Sequence, residues 1–328
     1  MMSRGRVRVL GPRRALSTIS LLIALGTQVA FAQDLNVILP VSEIESRLQD
    51  RPFQVLDWRG SRRPEDRTQR ATITFEDSVV LIAKWANAPP NGGDRFNNEP
   101  RYEVAAYRVQ KLFLDEPDYV VPPTVLRAFP IEFVRAQMPE VKPTFGIARG
   151  SVLVALQYWL TSVTTEGFWD PMRARKDTAY ARHIGDFNIL TYVIRHSDAN
   201  AGNYLISTSP ENPRVFSVDN GVAFASEESN RGAEWRELLV ERLPRRTIER
   251  LKGITRAQLE ALLGVFAEFE IRDGALVAVP PGENLGVHKG VRRAEGRIQL
   301  GLTQLEIREV EQRIKRLVGE AGRGRRLF

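Results

Sequence analysis

The chain has no cysteine among its 328 residues. Disulfides, zinc–thiolate centres and thiol nucleophiles are therefore excluded. Histidine is nearly as scarce, three in all, which leaves little material for a histidine-rich metal cluster. Acidic residues are missing from the first 32 positions, where five Arg stand. Without that segment the balance is 42 basic against 40 acidic residues, net +2. The overall charge of +7 thus reflects the leader and a short tail, "GRGRRLF", rather than a basic face, and nucleic acid is set aside as a partner. No repeat or long low-complexity segment is present, and the only apolar stretch of any length falls short of a membrane span.

That stretch sits in a recognisable context. "MMSRGRVRVLGPRR" is a basic start, "ALSTISLLIALGTQV" an apolar run, and Ala30-Phe31-Ala32 a small-x-small cleavage signature. The pattern predicts a signal peptide over residues 1–32, with an uncleaved anchor as the alternative. Once the leader is removed, no stable membrane insertion is expected. Arg13-Arg14 resembles a twin-arginine signal only faintly. An exported chain without disulfides points to a bacterial periplasm or to secretion.

Over the full chain, 43% hydrophobic and 27% charged residues describe an ordinary globular protein. Residues 53–85 read as three strands, "FQVLDW", "ATITF" and "SVVLIAKW". Alternation in the third puts Val80, Ile82 and Lys84 on one face. A polar loop, "NAPPNGGDRFNNEP", leads to a helix in "RYEVAAYRVQKLFL", and "GSVLVALQYWL" (150–160) reads as a strand and a bend. From about residue 171 helical spacing takes over, first in "ARHIGDFNILTYVIRH" and later in "RRTIERLKGITRAQLEALLGVFAEF" and "LTQLEIREVEQRIKRLVGE". The expected class is α+β in two lobes, 33–150 rich in strands and 151–320 mainly helical, with a basic tail at 321–328.

Polar residues crowd one place. "RHSDANAGNYLIS" (195–207) and "RVFSVDNGVAF" (214–224) carry His, Asp and Asn at the ends of two apolar runs. If 204–207 pairs antiparallel with 215–218 through "TSPENP", a centre at residue 211 sets Asn203 opposite Asp219. Oxygen ligands so placed can share a hard cation. Asp198 then lies on the loop entering the first strand.

The spacing His196-x-Asp198-x-x-x-x-Asn203, with Asp219-Asn220-Gly221 where kinases carry Asp-Phe-Gly, resembles a protein-kinase catalytic loop. "LIAKW" resembles the strand-lysine motif, which gives Lys84 as the phosphate contact and Glu103 of "EVAAYRVQ" as its helix partner, with Glu99 as a rival. Together with "VPPTV" these segments look like the atypical branch of the kinase-like superfamily, which holds phosphatidylinositol 3- and 4-kinase-like, HipA-type and secretory-pathway Golgi kinases. The resemblance implies a bilobal kinase-like fold, ATP with Mg²⁺ or Mn²⁺, and an acceptor of unknown type. It implies catalytic roles for Asp198 and His196, nucleotide binding through Lys84 and Glu103, and metal binding through Asn203 and Asp219.

Two features depart from the pattern. Ala199 follows the catalytic Asp, and no G-x-G-x-x-G precedes Lys84; the loop there, "RGSRRPEDRTQR", has one Gly and five Arg. Each motif also has a plain structural reading, since Asp and Asn form Asx turns and Lys84 or Glu103 can be a solvated surface residue. Two other functions compete with the kinase: a pseudokinase that only binds, and a metal phosphoesterase built on His196, Asp198 and Asp219. "GDF" (185–187) has the metal motif's letters out of order inside a helix and is read as structural.

Overall fold

Strand β3 (Val80–Asn87) shows how the sequence builds the first lobe. Leu81, Ala83 and Trp85 are buried, while Val80, Ile82 and Lys84 face the other way, the two-residue period of a strand with one packed face. Trp85 anchors an aromatic cluster, 4.5 Å from Phe129 and 4.9 Å from Trp58 between ring centroids. The computed structural model describes residues 35–60, 68–93, 99–224 and 230–324. The leader at 1–32, most of the Arg-rich loop (61–67) and the end of the tail (325–328) lie outside the described residues.

After helix α1 (Val41–Gln49), strands β1 (Phe53–Gly60), β2 (Thr68–Phe75) and β3 run antiparallel. Helix α2 (Pro100–Gln110) opens with Pro100, whose missing N–H costs nothing at a helix start. At its end the buried Gln110 ties down the next loop, donating to the Val121 carbonyl (2.8 Å) and accepting from the amides of Val120 and Val121. Strand β4 (Thr124–Pro130), helix α3 (Ile131–Arg135) and strand β5 (Ser151–Tyr158) complete a five-stranded sheet, ordered β1-β2-β3-β5-β4. All eight residues of β5 are buried, which is why it reads as a continuous apolar run. It bonds between β3 and β4, so the strand-rich lobe runs past residue 150, where the sequence division falls, to Tyr158.

The second lobe holds β6 (Val163–Thr164), α4 (Pro171–Lys176), α5 (Thr178–Ile194), β7 (Tyr204–Ser207) and β8 (Val215–Ser217), then α6 (Arg245–Lys252) and α7 (Arg256–Leu263). The α+β, two-lobed arrangement expected from the sequence is the one observed. The last part of the chain holds more than the two helical stretches expected there. After α7 come four strands, β9 (Ala267–Arg272), β10 (Ala275–Val279), β11 (Val291–Ala294) and β12 (Arg297–Leu300), in a sheet ordered β10-β9-β12-β11, before helix α8 (Gln304–Gly322). Helical spacing in "LLGVFAEF" carries the sequence reading too far, because α7 stops at Leu263. The two hairpins then turn on Asp273-Gly274 and Glu295-Gly296, all four at positive φ, as type I′ turns require.

Candidate active site

Helix α5 delivers the first part of the site. Phe187 packs against Phe168 and Tyr204, fixing the helix under the β7–β8 hairpin. Arg195 then ends the helix in a left-handed conformation (φ 49°), and the chain turns into His196, Ser197 and Asp198. Asn203 donates from Nδ2 to the Asp198 carbonyl (2.8 Å) and carboxylate (3.2 Å). Its amide oxygen takes part in neither bond. His196 is buried, 2% exposed, and its Nδ1 accepts from the Asp198 amide at 3.4 Å. Burial lowers its pKa, so the ring is neutral near pH 7 and braces the loop from beneath.

The hairpin differs from expectation by one residue. Tyr204 pairs with Ser217 and Ile206 with Val215, so Asn203 stands opposite Val218, whose amide donates to the Asn203 carbonyl at 3.1 Å. The six-residue connection 208–213 has its centre between residues 210 and 211, not on 211, and half a residue at the turn shifts the register by one. Asp219 therefore leaves the ladder. It adopts φ 57°, a left-handed conformation that Asp tolerates better than most residues, and its carboxylate meets Lys84.

Lys84 joins the two lobes. Its ammonium bonds Glu103 of α2 at 2.9 Å and also pairs with Asp219. Glu99 precedes Pro100, off the helix, and pairs instead with Arg101 at 3.0 Å. Burial alone would lower the Lys84 pKa, but Asp219 and Glu103 override it and hold the ammonium above its ordinary value. The Lys84 charge in turn holds the Asp219 carboxyl below its ordinary value. The Asp219 side chain remains 55% exposed against 14% for Lys84, so it is the member of the network open to a ligand.

The sequence matches no family model and no curated protein. Solved structures do resemble it. Hydra Fam20, solved with sugar, aligns with a TM-score of 0.51 at 12% identity, over 89% of this chain and 91% of that one. A Golgi casein kinase aligns at 0.50 and 11% identity, over 87% of this chain and 76% of that one. The fold is that of the atypical kinase-like proteins. Along the chain come the strand with Lys84, the helix with Glu103, the loop with Asp198 and Asn203, and Asp219 beyond the β7–β8 hairpin.

Two contributors escape a sequence reading. Asn220, in the middle of "DNG", is fully buried; its amide donates to Glu103 Oε2 (3.0 Å) and its side chain accepts from Ser217 Oγ (3.0 Å). An Asn where kinases carry an apolar residue was the available signal. Arg101, two residues before Glu103, makes a double hydrogen bond to Glu306 of α8 at 2.8 and 2.9 Å. Tyr102 also donates to Glu306, at 2.5 Å. The C-terminal helix thereby fixes the start of α2 and with it Glu103. No sequence signal joins residues so far apart.

Proposed function

We propose that the chain is an ATP-dependent phosphotransferase whose acceptor is an alcohol group. The observation that carries this reading is Lys84 bridging Glu103 and Asp219 across the cleft, beside the paired Asp198 and Asn203. Phosphoryl transfer asks the protein chiefly for positioning and charge stabilisation. Lys84 is a fixed cation for the phosphates, kept in place by Glu103. Asp198 is held by Asn203 and accepts the proton of the acceptor hydroxyl. His196, neutral and buried, positions Asp198.

The donor set fits a hard divalent cation, Mg²⁺ or Mn²⁺: a half-exposed carboxylate on Asp219 and a free amide oxygen on Asn203. Such an ion, when bound with nucleotide, supplies charge neutralisation on the phosphates. Among the described residues no group of three or more His, Cys, Asp or Glu converges to hold a metal, which argues against the phosphoesterase reading. Export through residues 1–32 belongs to the proposal, supported by the basic start, the apolar run and Ala30-Phe31-Ala32. Among the described residues no helix is long and apolar enough to cross a membrane.

A pseudokinase stays in competition because an exported chain meets little ATP. Against it, Lys84, Asp198, Asn203 and Asp219 are all present, and a scaffold needs no such set. Intact mass of the protein from envelope fractions tests export. Transfer of labelled phosphate from ATP to acceptor mixtures, with and without Mg²⁺ or Mn²⁺, tests activity; binding without transfer to any acceptor or to water favours the pseudokinase.

A further inference from the structure

Helix α5, the start of α6 and the loop that follows α2 enclose a cavity of about 220 Å³. One water molecule takes up only roughly 30 Å³ of liquid, so the space is large enough for a small organic molecule. Phe113, Leu114 and Pro244 give it an apolar wall. The rest of the lining holds three arginines, three aspartates and Thr247.

The charged residues divide into pairs and one remainder. Asp115 of the loop takes Arg250 of α6 at 2.7 Å and also Arg246, and Asp118 takes Arg182 of α5. Asp186 is the remainder. Its only hydrogen bond among the described residues reaches Oδ1, from Thr247 Oγ1 at 2.6 Å. Oδ2 has none, and it is not sealed off by protein, so it opens on the cavity although the residue is only 1% exposed. Buried polar atoms are nearly always satisfied, which calls for an occupant that donates to Oδ2. Desolvation pushes the carboxyl up to about 7, as expected where no bonded cation offsets burial. Gly185 brings the start of α6 close to Asp186, since an added Cβ there would lie 2.5 Å from Pro244 Cδ. Helix α6 has no side-chain cap, and the amides of an uncapped first turn attract negative charge.

We propose that this cavity binds a free α-amino acid with an apolar side chain. Its ammonium would sit on Asp186 Oδ2, its carboxylate toward Arg246 and the first turn of α6, and its side chain against Phe113, Leu114 and Pro244. Three arginines against Asp115, Asp118 and an ionised Asp186 sum to zero. A ligand of either net charge would therefore be left uncompensated in a partly buried site, whereas a zwitterion adds no net charge. Lys84, Asp198 and Asp219 are absent from the lining, so the site stands or falls independently of phosphoryl transfer in the cleft.

Calorimetric titration of the full chain at pH 7.5 tests this, with L-alanine, L-valine, L-leucine and L-phenylalanine in separate arms. The controls are the amide of the tightest binder, which lacks the carboxylate, and its deaminated acid, which lacks the ammonium. At least one of the amino acids should saturate, and each control should bind about tenfold more weakly or worse, roughly one charge-assisted hydrogen bond. Asp186→Asn, which keeps the shape of the side chain, should also cost about tenfold. Arg246→Gln, at the exposed rim, should weaken binding of the amino acid but not of its amide. Lys84→Met should stay within about twofold of the parent, because distant sites act independently. The proposal is overturned if none of the amino acids saturates, if either control binds as tightly as the amino acid, or if either the Asp186 or the Arg246 variant binds it like the parent.

Discussion

Glu306→Gln is the substitution that best separates the contribution of α8 from that of the cleft. It keeps the shape of the side chain and the oxygen that accepts from Thr303 at the helix start (2.7 Å), but removes the charge opposite Arg101. Both partners are nearly sealed from water, with side-chain exposures of 9% and 5%. Removing one member of a buried pair costs about 3–5 kcal/mol, because the other charge is left in a poor medium. Arg101 keeps Glu99 at 3.0 Å and lies over the Tyr102 ring, so the lower end applies, about 3 kcal/mol. Against a total of roughly 5–15 kcal/mol that is a large fraction. For a chain of this size it amounts to a fall in Tm of roughly 4–6 °C. Urea denaturation at pH 7.5 measures it. Arg101→Met with Glu306→Leu should recover most of the loss, since an apolar replacement removes both charges together. A loss below about 1 kcal/mol for Glu306→Gln, or no recovery in the double variant, would refute the claim that this pair is desolvated and fixes α2.

Asp186, buried on α5 and bonded by Thr247 Oγ1 at 2.6 Å, is pushed up to about 7 by desolvation. Its folded pKa exceeds the unfolded value, so the native chain loses stability as pH rises from the ordinary carboxylate range to about 7 and is level above it. Asp186→Asn should therefore gain in Tm over the parent as pH goes from 5 to 8; a constant gap would contradict this. Gly232 has no room for a side chain, since an added Cβ would lie 2.1 Å from the Ser197 carbonyl oxygen. Gly232→Ala should cost about 1–3 kcal/mol in urea denaturation and displace the Asp198 loop, and a variant as stable as the parent would show that this packing is slack.

How far the sequence reaches depends on the range of the interaction. Lys84 is legible because strand alternation is local: Leu81, Ala83 and Trp85 are apolar and buried, which forces Lys84 to the other face. Glu103 prevails over Glu99 for a local reason too, since Pro100 starts the helix and leaves Glu99 outside it. Pairing across a turn is less secure. Assigning residue 211 as the centre of "TSPENP" moves every partner by one, and the φ of Asp219 that redirects its carboxylate cannot be read from "DNG" alone. The C-terminal sheet was legible in principle, because Asp273-Gly274 and Glu295-Gly296 are turn pairs. Periodicity in the residues just before them suits a helix equally well. The Arg101–Glu306 pair depends on tertiary packing, and nothing local announces it.

Nucleotide binding by two variants tests the central claim most directly. In the proposed function Asp219 is the charged ligand and Asp198 the base, so the two should fail differently. With a fluorescent ATP analogue and Mg²⁺ or Mn²⁺, Asp198→Ala is expected to bind within about threefold of the parent. Asp219→Ala is expected to lose the metal-dependent part of the affinity, at least tenfold. If both variants bind the nucleotide like the parent, or if the parent shows no metal-dependent binding at all, the cleft is not a phosphoryl-transfer site.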